Sequence, residues 1–166
     1  ESNKETWSVD MIYLTGDTHR AFSRIYRFCE RNNTSTDDLM VILGDVGINY
    51  YLNETDYKLK QELAELPITL FCVHGNHEER PYNTIWYEET EWHDGIAYID
   101  PEFPNQVFAK DGEIYTLNDQ KVLCIGGAYS VDKYYRVARN WQWFESEQPN
   151  DEIKEHILTI IASEFN

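Results

Sequence analysis

Three stretches of sequence decide the fold: Met11-Ile-Tyr-Leu-Thr-Gly-Asp-Thr-His19, Leu39-Met-Val-Ile-Leu-Gly-Asp-Val-Gly47 and Ile68-Thr-Leu-Phe-Cys-Val-His-Gly-Asn-His-Glu78. Each begins with an apolar run of strand length and ends in a short polar loop that contains glycine. Nearly continuous apolar runs are typical of strands buried on both faces. Apolar residues recur at helical spacing in the intervals 22–30 and 57–66. The pattern predicts a β-α-β-α-β unit whose polar loops lie at the carboxyl ends of parallel strands.

The second half of the chain has a different pattern. Residues 107–117 hold Asp111-Gly112 between two apolar runs and predict a β-hairpin, in which this pair serves only as the turn. Residues 121–125 predict another buried strand. Residues 132–143 predict a helix, and the segment that starts near Pro149 predicts a last helix with a broad apolar face.

The domain organisation is simple. No repeat and no Pro/Gly/Ser-rich linker divides the chain, which predicts one domain over residues 1–166 with a polar N-terminal extension at residues 1–10. The acidic and aromatic segment 78–94 is predicted to be a solvated insertion, with a lid or a partner surface as the alternative.

The composition excludes several classes of function. Thirty acidic and 14 basic residues give a formal net charge of −16 and a pI of about 4.5. This charge repels polyanions, so direct nucleic-acid binding is not expected, whereas a basic protein partner or a metal ion is accommodated. The three cysteines form no C-x-x-C pair, which indicates a cytoplasmic location. No apolar run reaches membrane-spanning length and no secretion signal is found, so no membrane association is expected.

The three polar loops carry side chains that bind metal ions. The candidate ligands are Asp17, His19, Asp45 and Asn76, and the last of these is followed by His77 and Glu78. Carboxylate, amide and imidazole groups form a mixed oxygen and nitrogen donor set, which suits Mn²⁺, Fe²⁺, Zn²⁺ or Mg²⁺. The alternative is three ordinary β-α turns in which Asp and Asn cap the following helices. Because the arrangement recurs at three successive strand ends, the metal site is favoured.

The loops also resemble those of a known family. Their sequences Gly-Asp-Thr-His (16–19), Gly-Asp-Val-Gly (44–47) and Gly-Asn-His-Glu (75–78) resemble, in the same order, the first three signature motifs of the calcineurin-like metallophosphoesterases. Gly126-Gly127-Ala128 resembles the glycine-rich strand end that follows these motifs, so the resemblance covers residues 11–130. It implies an α/β fold, a metallophosphoesterase-type β-sandwich flanked by helices.

The resemblance implies a role for each candidate ligand. Asp17 and His19 would bind a first metal ion, and Asp45 would bridge it to a second. Asn76 would bind the second ion and contact the phosphate. Two such ions lower the pKa of a bridging water and hold the phosphoryl oxygens for in-line attack.

The resemblance also implies catalytic roles beside the metal ions. His77 would donate a proton to the leaving oxygen, with Glu78 orienting its imidazole. Arg20, next to His19, is a candidate for contact with a phosphate oxygen, and solvation at the start of the following helix is the alternative.

The sequence departs from the family pattern in its second half. The family has two further histidine motifs, a strand ending in His and a Gly-His-x-His, and neither is present; His74, His93 and His156 lack the required context. Ile48 also stands where many members have a second acidic residue. The prediction is therefore an incomplete sandwich that lacks the C-terminal half of the usual fold, with half of the expected metal ligands.

Three interpretations of function follow. In the first, the protein binds a divalent metal and hydrolyses phosphate esters through a depleted dinuclear site. In the second, the site is defunct, no metal is bound, and the acidic scaffold binds another protein, in the manner of a phage inhibitor that occupies the basic groove of a nucleic-acid enzyme. In the third, these residues are a piece of a longer enzyme. An incomplete sandwich would expose a sheet edge, so association of two copies is also predicted.

One basic and aromatic cluster lies near the C-terminus. Its members are Lys133, Arg136, Arg139, Tyr134, Tyr135, Trp141 and Trp143. The favoured interpretation is a helix whose aromatic residues cover the core while its cations stay solvated. The alternative is a surface that grips a phosphate or stacks a base.

Overall fold

The computed structural model describes residues 9–164, so the first eight residues of the predicted N-terminal extension lie outside the described residues. In chain order the elements are β1 (Ile12–Thr15), α1 (Ser23–Asn32), β2 (Leu39–Leu43), α2 (Glu54–Ala64), β3 (Thr69–Val73), a 3₁₀ turn (Pro81–Asn83), β4 (Glu88–Trp92), β5 (Gly95–Ile99), β6 (Gln106–Ala109), β7 (Ile114–Leu117), β8 (Gln120–Leu123), α3 (Lys133–Ala138), a second 3₁₀ turn (Glu145–Glu147) and α4 (Asp151–Glu164).

Six strands form one sheet in the order β1-β2-β3-β6-β5-β4. The first four run parallel, whereas β5 and β4 are antiparallel to their neighbours. The first three strands end in step, with Thr15 opposite Ile42 and Leu43 opposite Val73. The predicted β-α-β-α-β unit is confirmed, and its three loops leave the sheet at one edge.

Both faces of this sheet are covered. One face packs under α1 and α2, in a core that includes Ile25, Ile42, Leu63, Ile68 and Leu70. The other face packs against the two-stranded sheet β7-β8, in a core that includes Leu39, Phe71, Trp92, Val107 and Tyr115. Successive residues of β2 and β3 point to opposite cores, as the alternation of a pleated strand requires. The predicted α/β sandwich with flanking helices is confirmed.

The two edges of the six-stranded sheet differ in character. At one edge, β4 exposes Glu88, Glu89 and Glu91 to solvent. At the other edge, β1 pairs only with β2 within residues 9–164, and Leu14 is 68% exposed. Charged side chains on an edge strand discourage the addition of another strand, and exposed apolar ones do not.

The predicted hairpin over residues 107–117 is wrong. β6 pairs with β3 and β5 while β7 pairs with β8, so the two segments belong to different sheets. Asp111 between them has more than a turn function, because its carboxylate accepts a hydrogen bond from Gly126 N (2.7 Å) and forms an ion pair with buried Arg80. These long-range contacts outweigh the local turn signal.

Hairpins occur instead at two other places. Asn118-Asp119 connects β7 to β8, and His93-Asp94 connects β4 to β5. All four residues have positive φ, between 47° and 66°, as type I′ turns require. Segment 78–94 is therefore not an insertion, because it contains the edge strand β4, although most side chains of β4 are exposed to solvent as predicted.

The C-terminal elements match the predictions in part. α3 ends well short of the predicted residue 143, because Asn140 takes a left-handed conformation (φ 56°). α4 is present, but its apolar face is mostly open: Ile157 is buried and Leu158 is 66% exposed. β8 is exposed at its start and half-buried at its end, and not fully buried as predicted. Among the described residues, no helix has both the length and the apolar character to cross a membrane.

Candidate metal centre

The three loops at the carboxyl ends of β1, β2 and β3 meet each other. We call residues 16–20 the first loop, residues 44–49 the second loop and residues 74–78 the third loop. The N–H groups of Asp17 and His19 donate to the carbonyl oxygens of Gly44 (3.3 Å) and Asp45 (2.8 Å), which joins the first two loops. Asp17, His19 and Asp45 have φ angles of 43–49°, in the left-handed region. This backbone conformation is unfavourable for residues other than glycine, and residues that adopt it are concentrated at functional sites.

Close packing joins the second loop to the third. A Cβ atom at Gly75 would overlap the backbone nitrogen and the Oδ1 atom of Asp45, so only glycine fits there. On the other side of this contact, Asp45 Oδ1 accepts a hydrogen bond from the His77 N–H group at 3.1 Å. The carboxylate of Asp45 is thus held in place by the third loop.

Glu78 joins the second and third loops through hydrogen bonds. Its fully buried carboxylate accepts hydrogen bonds from the N–H groups of Gly47 (2.8 Å), Gly75 (2.9 Å) and Val46 (3.4 Å). Burial raises the pKa of Glu78 to about 7, although these hydrogen bonds oppose the shift. The contacts differ from the predicted role, since the carboxylate orients two backbone loops and not the imidazole of His77.

The loops bring the candidate metal ligands to one open cavity. Asp17, Asp45 and Asn76 line this cavity, which has a volume of about 280 Å³. His19 is not among the residues that line this cavity and lines a neighbouring one, with Nε2 3.7 Å from Asp45 Oδ2. Within residues 9–164, no group of three or more His, Cys, Asp or Glu side chains is close enough together to hold a metal ion. The donors therefore converge without forming a complete coordination shell.

The amide of Asn76 has a fixed orientation. Its Nδ2 atom donates to the hydroxyl of Ser130 at 2.9 Å, and Ser130 is fully buried. Because the amide nitrogen is engaged, the amide oxygen is the atom that remains for a cation. No sequence pattern pointed to Ser130, which lies 54 residues further along the chain.

The imidazole of His77 lies near His19 and is influenced by the charges of Asp45 and Arg136. Its ring stands edge-on to the ring of His19, with centroids 5.3 Å apart. Burial lowers the pKa of His77, the Asp45 carboxylate opposes this shift, and the Arg136 guanidinium adds to it. The lower pKa makes the protonated imidazole a stronger proton donor and reduces the fraction of His77 that is protonated near pH 7.

Arg20 is engaged away from the cavity of the ligands. Its Nη1 atom donates to Gly47 O (2.6 Å) and to Asp56 Oδ1 (2.5 Å), and Nη2 donates to Thr55 O (3.2 Å). The guanidinium also lies over the ring of Tyr51 at 4.9 Å. These contacts match neither the predicted phosphate contact nor the alternative of solvation at the start of α1, because they tie the first loop to the start of α2.

A second cavity adjoins the metal centre and was not predicted. It has a volume of about 250 Å³, and His19 and His77 form one wall of it. Arg136, Tyr50 and Trp141 line it as well. Arg136 is only 2% exposed, so the interpretation of this residue as a solvated cation is wrong.

The fold and the loops define a class of protein: an α/β sandwich with a metallophosphoesterase arrangement of strand-end loops. The family model described as calcineurin-like phosphoesterase matches residues 11–163, and the chain belongs to this family. No curated protein and no solved structure matches the chain. Members of this family generally bind divalent metal ions.

Proposed function

We propose that this protein binds a divalent metal ion between the three loops and hydrolyses phosphate esters there. The observation that carries the proposal is the convergence of Asp17, Asp45 and Asn76 on one open cavity with His77 beside it. Three unrelated β-α turns would not direct two carboxylates and an oriented amide to the same place.

The donor set fits Mn²⁺, Fe²⁺, Zn²⁺ or Mg²⁺ by its chemistry. Asp17, Asp45 and Asn76 offer oxygen atoms and His19 offers a nitrogen, so these residues would hold the ion, with water or substrate as further ligands. When bound, such an ion stabilises charge on the phosphoryl oxygens and makes a nucleophile from water.

The remaining residues of the site act on protons and geometry. His77 is the proposed proton donor to the leaving oxygen, because it lines the second cavity and its backbone N–H group donates to the ligand Asp45. Asp45 is held by Gly75 and the His77 N–H group, which keeps a ligand in position before any ion arrives.

The test is the isosteric substitution Asp45→Asn, with Mn²⁺ affinity measured by calorimetry and turnover measured with an aryl phosphate. Asn keeps the Oδ1 acceptor for His77 but removes the charge. We expect Mn²⁺ affinity to fall by at least about 10- to 100-fold and turnover to be lost. Asp37→Asn is the matched control, because Asp37 is exposed and precedes β2 at the opposite end of the sheet. Unchanged Mn²⁺ affinity and turnover in Asp45→Asn would refute the proposal.

The net charge of −16 favours a second function, binding of a basic protein without catalysis. A phage-type inhibitor in the basic groove of a nucleic-acid enzyme is one example. Wild-type protein would then show neither metal binding nor turnover. Its partner binding would survive Asp45→Asn and weaken as salt is raised.

A further inference from the structure

The second cavity contains a cation that the proposed chemistry has not used. Arg136 is on α3, and its guanidinium lines the cavity together with His19 and His77. With 2% of its surface exposed, it is more buried than any other cation lining the two cavities beside the loops. A buried charge needs a partner, because desolvation is otherwise unfavourable.

The protein supplies only part of that partnership. Arg136 Nη1 donates to Ser130 Oγ at 3.3 Å, and Nη2 donates to the carbonyl of Gln142. Among residues 9–164, the one carboxylate within 4.0 Å of the guanidinium is that of Asp132, which stands at 4.0 Å and is 42% exposed. A guanidinium has five N–H donors in a planar fork, and a direct hydrogen bond to an anion is considerably shorter than 4.0 Å.

The same hydroxyl group connects this cation to the metal centre. Ser130 Oγ accepts from both Asn76 Nδ2 (2.9 Å) and Arg136 Nη1 (3.3 Å). Ser130 is also hydrogen-bonded to Glu147. Burial acts to raise the pKa of Glu147, but the hydrogen bonds from Ser130 and Trp143 outweigh burial and lower that pKa. The positions of the amide and of the guanidinium are therefore fixed relative to each other.

We propose that Arg136 is an anion-binding residue of the active site and that it binds an oxygen of the phosphate group of the substrate. The identity of the ligand rests on the proposed function. A phosphate oxygen in the second cavity provides the direct charge partner that Asp132 does not. It also brings positive charge to a site with few metal ligands, which is where a phosphoryl group needs it.

The first experiment measures binding of inorganic phosphate to the wild-type protein without added metal, by NMR of the arginine side-chain N–H groups. We expect phosphate to shift the Arg136 signal and to leave that of Arg139 in place. Arg139 is a suitable internal control because it is exposed and its guanidinium lies over the ring of Tyr135 at 4.3 Å. The net charge of −16 suppresses non-specific phosphate binding. An unshifted Arg136 signal at saturating phosphate would overturn the proposal.

The second experiment compares Arg136→Gln, Arg136→Lys and the control Arg139→Gln. We expect Arg136→Gln to weaken phosphate binding by about 10- to 100-fold, with Arg136→Lys between it and the wild type. With an aryl phosphate and Mn²⁺, Arg136→Gln should raise KM while Mn²⁺ affinity stays unchanged, which a merely structural residue would not do. Circular dichroism identifies variants that fail to fold, and the wild-type NMR titration then decides.

The two proposals fail in distinguishable ways. Turnover in the wild type together with unchanged phosphate affinity in folded Arg136→Gln overturns only the role of Arg136. Phosphate binding at Arg136 without metal binding or turnover overturns only the hydrolytic function and supports the anion site.

Discussion

Two buried charged residues, Glu78 and Arg80, lie two positions apart in the chain and hold different segments by different means. Glu78 accepts hydrogen bonds from backbone N–H groups of the second and third loops. Arg80 donates to the carbonyl groups of Ser146 (2.7 Å) and Gly126 (3.3 Å) and pairs with the carboxylate of Asp111. The loop side therefore depends on backbone geometry, whereas the downstream side depends on a side-chain ion pair.

The contacts of Glu78 and those of Arg80 should therefore respond differently to substitution. When a carboxylate accepts hydrogen bonds from backbone N–H groups, its replacement by another acceptor lowers the free energy of unfolding moderately. A buried ion pair that loses one member leaves a charge without compensation, which is far less favourable. Two substitutions test this difference, and a third experiment extends the comparison to the two sheets.

The largest effect is expected for Arg80→Met. We expect it to lower the free energy of unfolding by about 3–5 kcal/mol, because Asp111 then stays buried without its partner. The measurement is urea denaturation followed by fluorescence and circular dichroism. The double variant Arg80→Met with Asp111→Leu serves as the control and should recover more than half of the loss. A double variant as unstable as the single one would show that the pair is not the cause.

A smaller effect is expected for Glu78→Gln. One amide oxygen can still accept hydrogen bonds, but the side-chain NH₂ group faces N–H donors, so we expect a loss of about 1–3 kcal/mol in urea denaturation. The same variant should lower Mn²⁺ affinity, since the loop that carries Asn76 loosens. Arg80→Met with Asp111→Leu should lower that affinity less, because the pair holds Gly126, which lines the same cavity but supplies no candidate ligand. Equal effects of both variants on Mn²⁺ binding would remove the distinction between the two sides.

The smallest effect concerns local opening, measured by the rates at which cysteines react with a thiol reagent. Cys72 lies in β3, an interior strand of the six-stranded sheet, and Cys124 directly follows β8 of the two-stranded sheet. Both are buried, and burial raises the pKa of Cys72 well above its ordinary value and that of Cys124 to about 12. Neither thiol should react without opening. Because a two-stranded sheet opens more easily, we expect Cys124 to react about 10-fold faster. Equal rates would indicate that both sheets open together.

The sequence was sufficient for the features that depend on local pattern. β1, β2 and β3 were predictable because each combines an apolar run with a glycine-containing loop. The convergence of Asp17, Asp45 and Asn76 follows from parallel strands that end in step, so the candidate ligands could be named before their contacts were known.

The remaining features depend on contacts between residues far apart in sequence. β6 pairs with β3 and β5, and no local signal distinguishes that pairing from a hairpin with β7. An arginine is expected at the surface from its residue type alone. The burial of Arg136 results from how α3 packs against Ser130 and the third loop. The contacts of Glu78 and Arg20 were likewise set by neighbouring loops and not by the motif that contains them.

The unequal edges of the main sheet limit how copies of this chain can associate. Within residues 9–164, β1 has no partner strand on its outer side and exposes Leu14, whereas strand addition at β4 is opposed by a row of glutamates. A pair joined through β1 would present glutamates at both outer ends, where repulsion blocks a third copy. Self-assembly through the edges of the six-stranded sheet would therefore stop at a dimer and could not continue into a filament.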